Sequence, residues 1–140
     1  MLDRYELNYK EDLNKVSDIY EFYNEMRWND YLNLSKEEID LAMKKSWYTV
    51  YVYSENTIVA SGRVISDGII NGYICGVGVL KSYRGRGIGS KILDILIHKC
   101  KSANINIQLL CESHLVDYYV KKDFKEFAVG MMIENKDNKS

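Results

Sequence analysis

The 140-residue chain has no proline, only three cysteines and two histidines, and no long apolar run. With no proline-rich or low-complexity linker and no internal repeat, nothing marks a boundary to a second domain. Residues 1–134 therefore read as one domain, followed by a polar, charged tail over 135–140. No stretch approaches the roughly eighteen apolar residues of a membrane span, and the acidic, tyrosine-rich N-terminus does not read as a signal peptide. No membrane partner is expected, and the expected compartment is the cytoplasm. Cys75, Cys100 and Cys111 are odd in number, lack C-x-x-C spacing and lie in apolar runs. That pattern suits reduced core thiols, so neither a disulfide nor a metal site is expected. Nineteen basic against twenty acidic residues give a formal charge of −1, with no run of five or more cations. A nucleic-acid backbone is accordingly not an expected partner. His98 falls on a polar helix face and His114 has no Ser or Cys nucleophile beside it, so no covalent triad is expected.

What the chain does have is apolar content, at 46% of residues, enough to bury roughly two-thirds of its unfolded surface without staples. Tyr5 to Tyr9 reads as a first strand and Asp12 to Met26 as a helix, with Val16, Ile19, Tyr20, Tyr23 and Met26 at helical spacing. Arg27 to Leu34 reads as a loop. Ser35 followed by Glu38 is a capping box that opens a helix over Lys36 to Lys45. Trp47–Ser54 and Thr57–Ser66 read as strands joined at Glu55-Asn56, and Asp67-Gly68 turns the chain into a third strand over Ile69 to Leu80. Beyond a helix from Ile88, Asn106 to Cys111 reads as a strand, Leu115 to Lys122 as a short helix and Phe127 to Glu134 as a last strand. The expected class is α/β (α+β): a mixed central sheet flanked by helices, in the order β-α-α-β-β-β-α-β-α-β.

The densest local signal is Tyr83-Arg84-Gly85-Arg86-Gly87-Ile88-Gly89-Ser90, placed where a buried strand stops and an amphipathic helix begins. In that helix Ile88, Ile92, Leu93, Leu96, Ile97, Cys100 and Ala103 share one face. A helix opening presents unpaired N–H groups and a partial positive charge, and glycines let a pyrophosphate approach the backbone. The glycines are spaced G-x-G-x-G. A dinucleotide fingerprint needs G-x-G-x-x-G, but the third place after Gly87 is Ser90; a Walker loop needs Gly-Lys-Ser or Gly-Lys-Thr, but the order here is Gly89-Ser90-Lys91. Both nucleotide readings weaken.

Val79-x-x-x-Tyr83-Arg84-Gly85-Arg86-Gly87-Ile88-Gly89 resembles the acyl-CoA pyrophosphate loop of the GNAT superfamily of N-acetyltransferases, written here as Arg84-x-x-Gly87-x-Gly89. The resemblance implies the family's mixed sheet and acetyl-CoA as cosubstrate. It implies that Arg84, Gly85, Arg86, Gly87, Ile88, Gly89 and Ser90 hold the pyrophosphate. It also implies that the strand splays near Gly76 and Gly78, so that the backbone of Val77, Gly78 and Val79 meets the pantetheine. Tyr118-Tyr119-x-x-x-Asp123-Phe124 is similar to the family's Phe-Tyr-x-x-x-Gly-Phe, which places Tyr119 at the tyrosine facing the sulfur, with Asp123 replacing a glycine. A tyrosine near pKa 10 protonates a thiolate near 8.5 uphill by about 1.5 units, which suits Tyr119 to hydrogen-bonding the leaving sulfur. Arg27-Trp28-Asn29-Asp30-Tyr31 resembles the family's Gly-Trp-containing loop, making Trp28, Tyr31 and Phe22 candidate walls of the acceptor site.

No base is evident. An alkylamine is only about one part in a thousand neutral at pH 7, yet Gly76 stands where many relatives carry an aspartate. Glu112, Asp67 or a chain of waters are the alternatives. The expected activity is direct acetyl transfer from acetyl-CoA to a primary amine of a small molecule or peptide. The rival is a non-catalytic acyl-CoA-binding or sensing module, which needs neither Tyr119 nor a base. A homodimer is one assembly the sequence allows.

Overall fold

The computed structural model describes residues 6–134; Tyr5 of the expected first strand and the tail over 135–140 lie outside the described residues. Five strands form one sheet in the order β1-β2-β3-β4-β5: β1 (Leu7–Lys10), β2 (Tyr48–Ser54), β3 (Thr57–Ser66), β4 (Asn71–Val79) and β5 (Asn106–Leu109). The first four pair antiparallel; β4 and β5 run parallel, with helix α4 (Ile88–Ser102) crossing between them. The mixed, helix-flanked sheet expected from the sequence is thus present. Helices α1 (Val16–Glu25), α2 (Trp28–Leu32) and α3 (Lys36–Lys44) lie between β1 and β2, and α5 (Val116–Val120) follows β5.

Side-chain alternation along β2 explains why both faces of the sheet are covered. Val50 and Val52 point into a core shared with Ile88, Ile92, Leu93, Leu96 and Cys100 of α4, whereas Tyr51 and Tyr53 join Ile19, Phe22, Tyr23, Ile39 and Met43 of α1 and α3. The approach of α4 is close: a Cβ on Gly62 would stand 2.7 Å from Ile92 Cγ2. The capping box forms as read, with Ser35 Oγ accepting from Glu38 N at 3.1 Å and Glu38 Oε1 accepting from Ser35 N at 2.9 Å.

Three expectations are corrected. The segment 27–34 is not all loop: a single helical turn, α2, sits between two left-handed residues, Arg27 (φ 68) and Asn33 (φ 53). Asn29 ties it down, accepting from Leu34 N at 2.8 Å and donating to Asn24 Oδ1 at 2.9 Å. Phe127 to Glu134 forms no strand. A strand requires a ladder partner as well as apolar composition. Its first half, Phe127 to Gly130, instead lines a cleft of about 680 Å³ beside β5, and Val129, Met131 and Ile133 are exposed. Finally, Cys100 is buried and Cys75 half-buried, but Cys111 is exposed, because the chain leaves the sheet at Leu109 before reaching it.

Candidate active site

The loop between β4 and α4 has the conformation its glycines permit. Gly85 (φ 80) and Gly87 (φ 79) are both left-handed, and among the described residues a Cβ on either would meet no atom within 4 Å, so the backbone there is uncovered by them. Gly87 is the N-cap of α4 and its carbonyl accepts from Lys91 N at 3.0 Å, which leaves the amides of Ile88, Gly89 and Ser90 ahead of the first intrahelical bond. Arg84 is fixed by donating from Nε to Val79 O at 2.8 Å, and the Arg86 guanidinium lies over the Tyr83 ring at 5.0 Å. Lys122, just past α5, donates to Ser90 Oγ and to Asp94, so α5 is tied to the head of α4. Beside the loop, a cleft of about 720 Å³ opens against the end of α1, with Arg27, Lys81 and Arg84 among its walls.

The second feature is the parting of β4 from β5. Their pairing runs from Asn71–Asn106 to Ile74–Leu109 and stops, so Cys75 to Val79 have a free edge on that side. The register against β3 also shifts between Ser61 and Arg63, and opposite it Gly76 takes φ 63. The strand bulges at Gly76 and parts from its parallel neighbour along Cys75 to Val79.

On the face of β4 opposite α4, the Trp28 ring covers Gly78. It stands edge-on to Phe22 and Tyr23, with centroid distances of 5.7 and 5.1 Å. The structure thus brings Phe22 and Trp28 together, although Phe22 is only 2% exposed and lies behind the indole in the core. Tyr31 is 70% exposed and extends from α2 into solvent. Tyr119 packs edge-on against Phe124 at 5.8 Å and lines the cleft beside β5; burial pushes its hydroxyl above the usual tyrosine range, which keeps it a hydrogen-bond donor. Asp123 (φ 71) takes the left-handed turn that ends this helical segment, doing what a glycine would do.

The carboxylates considered as bases are placed differently. Asp67 Oδ1 accepts from the backbone of both Ile69 and Ile70 at 2.8 Å, and these bonds, that from Ile70 first, hold its carboxyl below the usual range. It shapes the β3–β4 turn. Glu112 is highly exposed, 4.0 Å from His114. Sequence reasoning missed a different pair, Tyr23 and Arg63. The Arg63 guanidinium lies beside the Tyr23 hydroxyl under the Gly76 bulge; burial raises the Tyr23 pKa, partly offset by that neighbouring cation. The available signal was an arginine inside the otherwise apolar and small run Ile58 to Val64.

Residues 13–124 match the model of the acetyltransferase (GNAT) family. The chain belongs to the GNAT family of acetyltransferases. No curated protein sequence matches it. Solved structures share the fold at low identity. A probable acetyltransferase from Staphylococcus aureus is 23% identical with a TM-score of 0.73, over 93% of this chain and all of that one. Glucosamine-6-phosphate N-acetyltransferase from Arabidopsis thaliana is 18% identical with a TM-score of 0.71, over 92% of this chain and 98% of that one. A predicted acetyltransferase from Clostridium acetobutylicum, solved with acetyl-CoA, is 19% identical with a TM-score of 0.66, over 96% and 100%.

GNAT enzymes use acetyl-CoA, and the residues here fit such a group: the glycine cradle is open, amides at the head of a fifteen-residue helix adjoin it, and β4 offers a free edge. Among the described residues no cluster of three His, Cys, Asp or Glu could hold a metal, and no helix is long and apolar enough to cross a membrane.

Proposed function

We propose that this chain is an N-acetyltransferase that carries an acetyl group from acetyl-CoA directly to a primary amine of a small molecule or peptide. The observation that carries the reading is the pair of left-handed glycines under open space at the head of α4, next to a strand edge freed by the parting of β4 and β5. Arg84, Gly85, Arg86, Gly87, Ile88, Gly89 and Ser90 hold the pyrophosphate, chiefly through backbone N–H groups, with the cations of the adjoining cleft adding attraction. The backbone of Val77, Gly78 and Val79 aligns the pantetheine along the free edge of β4.

Bound acetyl-CoA supplies an activated acetyl carbon, open to attack by a neutral amine. Trp28 forms the acceptor wall, supported by Phe22 from behind and flanked by Tyr31, and it keeps water from the thioester. Tyr119 donates its hydroxyl hydrogen toward the sulfur as thiolate charge develops, an interaction that strengthens only in the transition state. Asp67 and Glu112 have other surroundings, so the amine loses its proton to water. The reading places the enzyme in the cytoplasm.

An amine panel with acetyl-CoA, read by free-thiol release, tests the proposal. Release that depends on both acetyl-CoA and an amine is the expected result. CoA binding with no amine-dependent release would favour a non-catalytic acyl-CoA-binding module.

A further inference from the structure

We infer that the acceptor amine carries a carboxylate, and that Arg63 binds it under the Gly76 bulge; this rests on the acetyl-transfer reading above. Arg63 projects from β3 on the face shared by α1 and α3. Its Nη1 donates to Ser46 Oγ at 3.1 Å and its guanidinium adjoins the Tyr23 hydroxyl, whereas its Nε is buried and has no hydrogen-bond partner among the described residues. No ion pair joins Arg63 to any carboxylate among the described residues. A guanidinium held in this way is an unusual thing for a folded domain to keep, because a buried donor without a partner costs stability that an apolar residue would not.

The missing partner has a place to come from. A Cβ added to Gly76 would stand 3.6 Å from Arg63 Nε and 3.5 Å from the Tyr23 hydroxyl, ordinary contact distances, so both polar groups border the backbone at this glycine with no side chain of its own in between. Gly76 itself is half-buried and lies on the β4 edge that β5 leaves free. Gly78, two residues along the strand, turns the same face toward Trp28. The Arg63–Tyr23 pair therefore adjoins the aromatic acceptor wall, on the side of the sheet away from α4. Arginine presents a planar fork of donors that matches a carboxylate, and tyrosine adds a third. Of the other groups around this cluster, Tyr51 and Cys75 are buried or half-buried, and Asp40, the carboxylate that reaches Tyr51 from α3, is bonded to Lys44 at 2.9 Å and forms no ion pair with Arg63.

Amines offered in pairs, each amino acid beside its primary amide, test this by free-thiol release with acetyl-CoA. The wild-type protein should favour the carboxylate member by about tenfold or more in kcat/KM, the scale of a charge-assisted hydrogen bond. Arg63→Gln should bring the ratio near one while leaving the acetyl-CoA KM unchanged. Gly76→Asp is the second variant: Asp123 already holds a left-handed φ in this chain, and a carboxylate fixed at position 76 should occupy Arg63 and abolish the preference without removing the arginine. Equal rates on both members of every pair, or a preference that survives Arg63→Gln, would overturn the inference. If no amine is turned over, the acetyl-transfer reading itself fails. Calorimetry of N-acetyl amino acids against N-acetyl amides in the presence of CoA then decides the Arg63 site separately, tighter binding of the carboxylates supporting it and equal binding rejecting it.

Discussion

The indole of Trp28 fills the space that a side chain at Gly78 would need: a Cβ there would stand 2.6 Å from two of its ring carbons and 2.8 Å from Met26 Cε. The aromatic wall and the bulged strand are therefore one packed unit. Gly78→Ala should push Trp28 off β4, cost roughly 1–3 kcal/mol by overpacking, and raise the acceptor KM more than the acetyl-CoA KM. Steady-state kinetics and tryptophan emission check this. An unshifted emission spectrum with unchanged acceptor kinetics would separate Trp28 from the acceptor site.

Tyr119→Phe should lower turnover by ten- to a hundredfold, on the order of one charge-assisted hydrogen bond, with little change in CoA affinity. On the proposed reading the hydroxyl acts when charge reaches the sulfur, and its pKa, pushed up by burial, keeps it protonated at neutral pH. Tyr118→Phe should be nearly silent, because Tyr118 is 41% exposed on the same short helix. Parallel kcat measurements on the two variants distinguish them, and equal kcat values would remove Tyr119 from the reaction.

Much of this arrangement was legible in the chain. The Ser35–Glu38 box, the β2–β3–β4 meander, the apolar face of α4 and the glycine cradle all rest on contacts within a few residues or on a regular period, which sequence records directly. The misses share a different cause. Helix α2 is held by Asn29 reaching Asn24 and Leu34, a side-chain staple with no periodic signature. Phe127 to Glu134 has strand composition, but whether it pairs depends on where β5 lies. The meeting of Tyr23, from α1, with Arg63, from β3, spans forty residues and depends on how the helix crosses the sheet.

The stability of the domain should fall steeply at alkaline pH. Tyr48 and Tyr51 have pKa values pushed up to about 12, chiefly by burial, and Tyr53, whose hydroxyl donates to Asp18 Oδ2 at 2.8 Å and accepts from Asn14 N at 2.9 Å, is raised further. Burial favours the neutral phenol in the folded state. Its contribution is therefore complete below the free-tyrosine value near 10 and is lost as pH climbs toward 12 and beyond. Urea unfolding at pH 8, 10 and 11 should show a falling midpoint above 10. Tyr53→Phe should cost roughly 1–3 kcal/mol at pH 8, since it leaves the Asn14 amide unpaired.

All of the chemistry argued here depends on the turn before α4 being the pyrophosphate site, and calorimetric titration of CoA into the wild type and Gly87→Val tests that most directly. No described atom lies within 4 Å of a Cβ at Gly87, so the variant should fold, its stability lowered by the roughly 1–2 kcal/mol of a left-handed non-glycine residue. The wild type should bind CoA at one site per chain, and the folded variant should show no measurable heat of binding. A folded Gly87→Val protein that binds CoA with wild-type affinity would contradict the account.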